Sequence, residues 1–297
     1  MRVFALSDVH TDFRENLQRV TALSTRIYRD DALILAGDVS HDLALLRKTL
    51  ELFLQRFRYV FFVPGNHELW IRQGEHEHSV QKFYDVLRLC DSLGVHTGSK
   101  CIGPEQLCIV PLFSWYTRPE EGGDSLFRDR AVDESAVSMW TDDYLVKWPA
   151  RVMSPGASAD FSPTQFFLDM NTARVDAACA TSIISFSHFL PRADLMFAAP
   201  DEPTRPMPDR HERQFNFSRV AGSTLIEEQI RKLGSRVHVY GHQHRNRCRC
   251  YEGIWYVSNC LGYREEQERR GLEGTAAQLK AVWPMEESGL REPAASA

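Results

Sequence analysis

No apolar run in this 297-residue chain approaches the roughly 18–20 residues needed to cross a bilayer. The longest, 59–64 (YVFFVP) and 32–36 (ALILA), have the length of buried strands. The amino terminus, MRVFALSDVH, lacks the charged, apolar and small-residue regions of a secretory signal, so no membrane association and a cytoplasmic location are expected. Positive charge is not in excess. A net charge of −5 argues against a surface that coats nucleic acid, although a small or locally presented phosphate stays open as a ligand. Cysteine is present as seven scattered residues, an odd number, so reduced thiols are expected rather than a disulfide framework. Cys248 and Cys250 form a CxC pair with no second pair nearby, a spacing too short for a closed zinc site.

The chain has ample material for a core, 43% of it apolar. Residues 2–6, 32–36 and 59–63 are short apolar runs ending in SDVH, GDVSH and PGNHE. Between them, 13–28 and 42–56 carry apolar residues at helical spacing without internal proline, which predicts strand, helix, strand, helix, strand. Such alternation favours a mostly parallel sheet that binds ligands beyond its carboxyl edge. A helix is predicted over 79–93 and a strand near 107–112. A helix over 163–178, started by Ser162 and Pro163, and a strand over 181–187 follow. Next come a helix over 223–233 stopped by Gly234, a strand over 236–240, and a strand over 254–258 expected to pair antiparallel beyond it. The stretches 114–162 and 189–222 are rich in glycine, proline and charge and read as lid insertions in a single domain over 1–270. Residues 271–297 read as a partly flexible tail.

Five strand ends deliver Asp8 and His10, Asp38, Asn66 and His67, His188, and His242 and His244. A buried imidazole or carboxylate must be paired, hydrogen-bonded or metal-bound, because leaving it unsatisfied costs several kcal/mol. Crowding so many at one sheet edge calls for a cation. Nitrogen and oxygen donors without thiolate suit Mn, Fe or Zn. Residues two apart on an extended segment point to one side, so DxH and GHxH each aim two ligands into one cavity.

SDVH at 7–10, GDVS at 37–40, GNHE at 65–68, SH at 187–188 and GHQH at 241–244 together resemble the ordered signature of the calcineurin-like metallophosphoesterase superfamily. The resemblance spans roughly residues 1–260 and implies an α/β fold, a four-layer α/β/β/α sandwich of two mixed sheets flanked by helices. It assigns Asp8, His10 and His244 to one divalent ion and Asn66, His188 and His242 to a second, with Asp38 bridging. It further implies hydrolysis of a phosphate mono- or diester by a metal-activated hydroxide. His67 is similar to the family histidine that protonates the leaving oxygen or stabilises charge on the phosphate; the alternative is a histidine that orients a ligand.

Departures from branch patterns narrow the substrate. Phosphoprotein phosphatases carry GDxVDRG and an Arg before GNHE; here stand GDVSHD and Pro64. Purple acid phosphatases carry a Tyr three residues after the GD aspartate, where this chain has His41. A small phosphoester substrate is the leading expectation. A nuclease or nucleotide phosphodiesterase, and a catalytically silent metal-binding scaffold, are the alternatives. Arg118, Arg192, Arg245 and His41 are candidate substrate contacts, since a guanidinium fork suits a phosphate. The oligomeric state is not readable.

Overall fold

The three apolar runs become parallel strands β1 (Val3–Leu6), β2 (Ala32–Ala36) and β3 (Tyr59–Val63), and their period of two sorts the side chains to opposite faces. Val3, Ala5, Ile34, Phe61 and Val63 join an inner core. Phe4, Leu6, Leu33, Leu35, Val60 and Phe62 pack instead under α1 (Arg14–Thr21), α2 (Leu43–Leu54) and α3 (Ser79–Leu93), through Val20, Leu46, Leu50, Phe53 and Val86. This is a computed structural model, and it describes residues 1–72, 74, 76–129, 140–150, 160–178, 180, 182–198, 215–272 and 275–290.

The second sheet runs β4 (Lys100–Ile102), β5 (Leu107–Pro111), β6 (Ile183–Phe186), β7 (Val237–Tyr240), β9 (Ile254–Ser258), β8 (Arg247–Tyr251) in spatial order. Between β5 and β6 in the chain lie α4 (Asp142–Leu145) and α5 (Pro163–Asp176), and α6 (Thr224–Leu233) precedes β7. Phe167 and Val175 of α5 and Ile226 and Ile230 of α6 share one cluster with Ile184 and Val239, so helices also cover this sheet. The expected four layers are therefore present. Helix starts are capped as the sequence indicated: Ser162 Oγ accepts from Gln165 N with Pro163 in the first turn, and Gly234 ends α6 in the left-handed region. Among the described residues no helix is long and apolar enough to cross a membrane.

Four expectations need correction. The helix predicted over 13–28 ends at Thr21. Ser24 Oγ there accepts from the Arg26 and Ile27 amides and starts a turn, while the Arg56 guanidinium takes the carbonyls of Thr21 and Leu23. β9 pairs parallel with β7, not antiparallel; its antiparallel partner is β8, an edge strand whose polar sequence RCRCY hid it. Within the expected tail, β10 (Lys280–Trp283) adds antiparallel to β1 and is followed by a short helix, Met285–Ser288, with Val282 fully buried. Cys101 and Cys108, directly opposed across β4 and β5, form a disulfide where free thiols were expected. Of the two segments expected as lids, 130–139, 151–159 and 199–214 lie outside the described residues, as do 291–297 of the expected tail.

The two sheets meet at their carboxyl edges. His188, after β6, bonds through Nδ1 to Ala36 O at the end of β2 (2.8 Å), and Gly241 N donates to His188 O (2.9 Å). Five strand ends thus open on one place.

Candidate metal centre

The loops that leave these strands are backbone-strained where the chemistry is. Asp8, His10, Asp38, His242 and His244 all have positive φ, between 44° and 72°. That region costs a non-glycine residue on the order of 1–3 kcal/mol, and persists only where the surroundings impose it. Local backbone bonds supply the imposition: Asp8 N donates to Gly37 O, His10 N to Asp38 O (3.0 Å each) and Gly262 N to Asp8 O (2.8 Å). Glu68, the last residue of GNHE, is fully buried and accepts four backbone amides, from Asp38, Val39, Ser40 and Gly65 (2.6–3.0 Å). It staples the GD loop to the GNHE turn. Gly65 is glycine for contact reasons: a Cβ there would collide with Asp38 Oδ1 and come within 2.8 Å of His188 Nε2.

The side chains gather in two groups. Asp8, His10 and His244 form one and Asp38, His188 and His242 the other, a third set of His10, Asp38 and His67 overlaps both, and within each the donor atoms lie inside 4.8 Å of one another. His10 Nε2 faces His244 Nε2 at 3.0 Å, and Asp8 Oδ1 is 3.4 Å from the latter. In the second group His188 Nε2 is 3.4 Å from Asp38 Oδ2 and 3.1 Å from Asn66 Oδ1. His67 Nε2 sits 3.8 Å from Asp38 Oδ2, and its ring stacks on Trp70 at 3.6 Å between centroids. Asp8, Asp38, Asn66, His10, His188 and His242 are buried.

The hydrogen bonds of the outer ring nitrogens suit a donor set for a cation. His188 Nδ1 bonds to Ala36 O, His242 Nε2 to Val220 O (3.0 Å) and His244 Nδ1 to Glu266 Oε2 (2.8 Å). Each bond places a proton on the outer nitrogen and leaves the inner one as a lone pair, the arrangement common around metal-ligating histidines. Lone pairs then face lone pairs: His188 Nε2 meets Asp38 Oδ2 and Asn66 Oδ1, and His244 Nε2 meets Asp8 Oδ1. Such an arrangement needs protons or a metal ion between the acceptors.

Without metal, protons fill the role. Burial alone would lower the His188 pKa, yet the Asp38 carboxylate raises it to about 9. His244 is likewise raised well above its usual value, against burial, by Asp8 and Glu266. Burial would raise both carboxyls, but the His244 charge holds Asp8 low and the His188 charge holds Asp38 low. Burial pushes His242 down to about 3 and His67 to about 4. If His188 and His244 are ligands, metal uptake displaces the protons on both. Affinity for Mn is therefore expected to rise with pH below about 9, by about tenfold per unit for each displaced proton. Calorimetry in buffers of different ionisation enthalpy would show the released protons, and a pH-independent affinity would contradict the assignment.

Eight residues expected in the site, Asp8, His10, Asp38, Asn66, His67, His188, His242 and His244, are thus brought together. His41 is at the margin: Nδ1 pairs with Asp12 Oδ1 at 2.9 Å and its ring is 6.1 Å from Trp70. Arg118 pairs with Asp143 beside the Tyr116 ring, one layer outside Asn66. Arg192, expected on a phosphate, is instead held by Asp194 (2.9 Å) and Glu227 (3.1 Å) over the Tyr251 ring. Arg245 follows His244 in the chain and is half-buried. Sequence reasoning missed three groups. Glu266 orients His244 from within a charge run, Tyr263 stacks on His10 at 4.7 Å, and Asp142 holds Asn66 Nδ2 at 2.9 Å. The buried Glu after GNH was visible in the motif, though its four-amide role was not.

A family model described as calcineurin-like phosphoesterase matches residues 1–168. The acyl-carrier-protein phosphodiesterase PptH of Mycobacterium tuberculosis is 28% identical over 285 residues, covering 90% of this chain and 80% of that protein. The crystal structure of phosphopantetheinyl hydrolase (PptH) from the same organism superposes with a TM-score of 0.69 at 25% identity, covering 95% of this chain and 96% of that one.

Proposed function

The chain belongs to the calcineurin-like phosphoesterase family and is a metal-dependent phosphoric ester hydrolase, and on that premise we propose that it cleaves the phosphodiester joining phosphopantetheine to an acyl carrier protein. The observation that carries the site reading is the opposition of lone pairs around His188 and His244. On this reading Asp8, His10 and His244 hold one divalent ion and Asn66, His188 and His242 a second, with Asp38 between them. The mixed nitrogen and oxygen set suits Mn, Fe or Zn. When bound, such ions supply Lewis-acid charge and a water acidified enough to act as nucleophile near neutral pH.

The chain's own residues do the rest. Asp38, fixed by Glu68 at its amide and bonded through Oδ1 to His67 N (3.0 Å), keeps the two halves in register. His67 has a neutral ring with its pKa near about 4. Its N–H is available to a phosphate oxygen or to the departing oxygen, and the Trp70 stack limits its rotation. Tyr263, stacked on His10, keeps that ligand upright. The choice of a phosphodiester on a carrier protein is supported by the likeness to PptH, in sequence over 90% of this chain and 80% of that protein and in fold at a TM-score of 0.69. It retains the cytoplasmic setting expected from sequence.

Purified protein with Mn should convert holo acyl carrier protein to the apo form, with free phosphopantetheine detected by mass spectrometry. Chelation should lower the rate by more than about 100-fold, since metal sites supply several kcal/mol of transition-state stabilisation, and Mn should restore it. Cleavage of bis-para-nitrophenyl phosphate without cleavage of the carrier protein would remove the substrate assignment. Metal binding with neither activity would favour a scaffold.

A further inference from the structure

Four hydrogen-bond donors converge on one carboxylate outside the ligand set. Asp142 Oδ1 accepts from Asn66 Nδ2 (2.9 Å) and Trp70 Nε1 (2.6 Å); Oδ2 accepts from Tyr116 OH (3.2 Å) and Trp140 Nε1 (2.9 Å). Asp142 is 3% exposed, at the first turn of α4. Indole N–H groups only donate, so the cavity is built for an ionised, acceptor-only side chain. An Asn amide has nearly the same shape either way round, and its partners decide which end points where. With Nδ2 bound to Asp142, the Asn66 Oδ1 faces His188 Nε2.

We propose that Asp142 is a positioning residue: it sets the orientation of the Asn66 amide, presents Oδ1 to the ion shared with His188 and His242, and couples that half of the centre to the segment 140–147. This rests on the ligand assignment above. The coupling has independent support. Trp140, whose indole donates to Asp142, lies 5.8 Å from the His242 ring at 89°, so the same segment touches both Asn66 and His242. The segment is pinned to the GNHE side by Ile71 N donating to Leu145 O and Ser79 N to Lys147 O (2.7 Å each). Among the described residues, none of these four hydrogen bonds of Asp142 reaches Asp8, His10 or His244. The consequence is selective: one half of the centre depends on Asp142 and the other does not.

Asp142→Asn keeps the shape and turns one acceptor into a donor. Calorimetric titration of metal-stripped protein with Mn is expected to show one binding event as in the parent and the other weakened by about 10–100-fold, the usual scale for residues that orient ligands. Asn66→Ala should weaken the same event, and Tyr116→Phe, which removes a donor without touching Asn66, should weaken neither. Should Asp142→Asn not fold, Asp142→Glu keeps an ionised acceptor but displaces it by one methylene, and is expected to weaken that event alone. Both events weakened alike, neither weakened, or Tyr116→Phe matching the Asp142 variant would overturn the inference. Mn binding untouched by Asn66→Ala and His188→Ala would instead overturn the ligand assignment itself.

Discussion

Asp38→Asn is expected to lower kcat/KM for bis-para-nitrophenyl phosphate by about 10³-fold or more, roughly 4 kcal/mol of transition-state stabilisation. The carboxylate is buried, 3.4 Å from His188 Nε2 and 3.8 Å from His67 Nε2, and its amide is held by Glu68. Asn has the same shape and, like Asp, tolerates the left-handed backbone at φ 55°, so the loop should keep its course. What disappears is the negative charge between the two groups of donors. Metal content by elemental analysis should fall with activity, because the group shared by both halves no longer offsets the ions' charge. The metal-free variant should also lose thermal stability, because the same buried carboxylate there faces the protonated His188, so activities are to be compared at a temperature where both proteins are folded. Retention of more than about a tenth of the parent rate, a loss of less than roughly 1.4 kcal/mol, would remove Asp38 from the bridging role.

Glu68→Gln is expected to cost about 2–4 kcal/mol of stability, a fall of about 3–6 °C in Tm for a chain of this size. Its oxygens each take two backbone amides, Val39 and Ser40 on Oε1, Asp38 and Gly65 on Oε2. A Gln fills the same volume yet points an NH₂ at two of those four donors, leaving them buried without a partner. Burial and the Asp38 charge already raise the Glu68 pKa to about 7, so its four bonds are what keep a carboxylate tolerable there. The loss should extend to metal affinity, because the same amides fix Asp38 and the turn carrying Asn66. Differential scanning calorimetry of metal-free protein measures the first effect, and an unchanged Tm would show that the staple does not hold these loops together.

The eight residues of the centre could be named from sequence because each motif sits where an apolar run ends. A strand of period two must stop in a loop, and parallel strands joined by helices put those loops on one edge. His188 and the GHQH histidines gained their meaning from the ordered set of five motifs rather than from any one strand end. Helices with local signals, Ser162 and Pro163 before α5 and Gly234 after α6, were equally open to reading. Failures came where a distant group intervened. Arg56 caps the end of α1 from 35 residues away, and β8 owes its place to β9 rather than to any pattern of its own.

By itself, then, the sequence determined which side chains could bind metal and the alternation of strands and helices that brings them to one edge, since both follow from periodicity and from the cost of burying polar groups; the four-layer order and the division of the ligands between two ions were implied by the resemblance of the five motifs to the family signature. Only the tertiary structure decided how each ligand is oriented. Glu266 reaches His244 across 22 positions and Asp142 reaches Asn66 across 76. Amide and imidazole rings carry near-symmetric ends, so the end that faces the ion is selected by a hydrogen bond from outside, and such partners come from whichever segment the fold brings alongside.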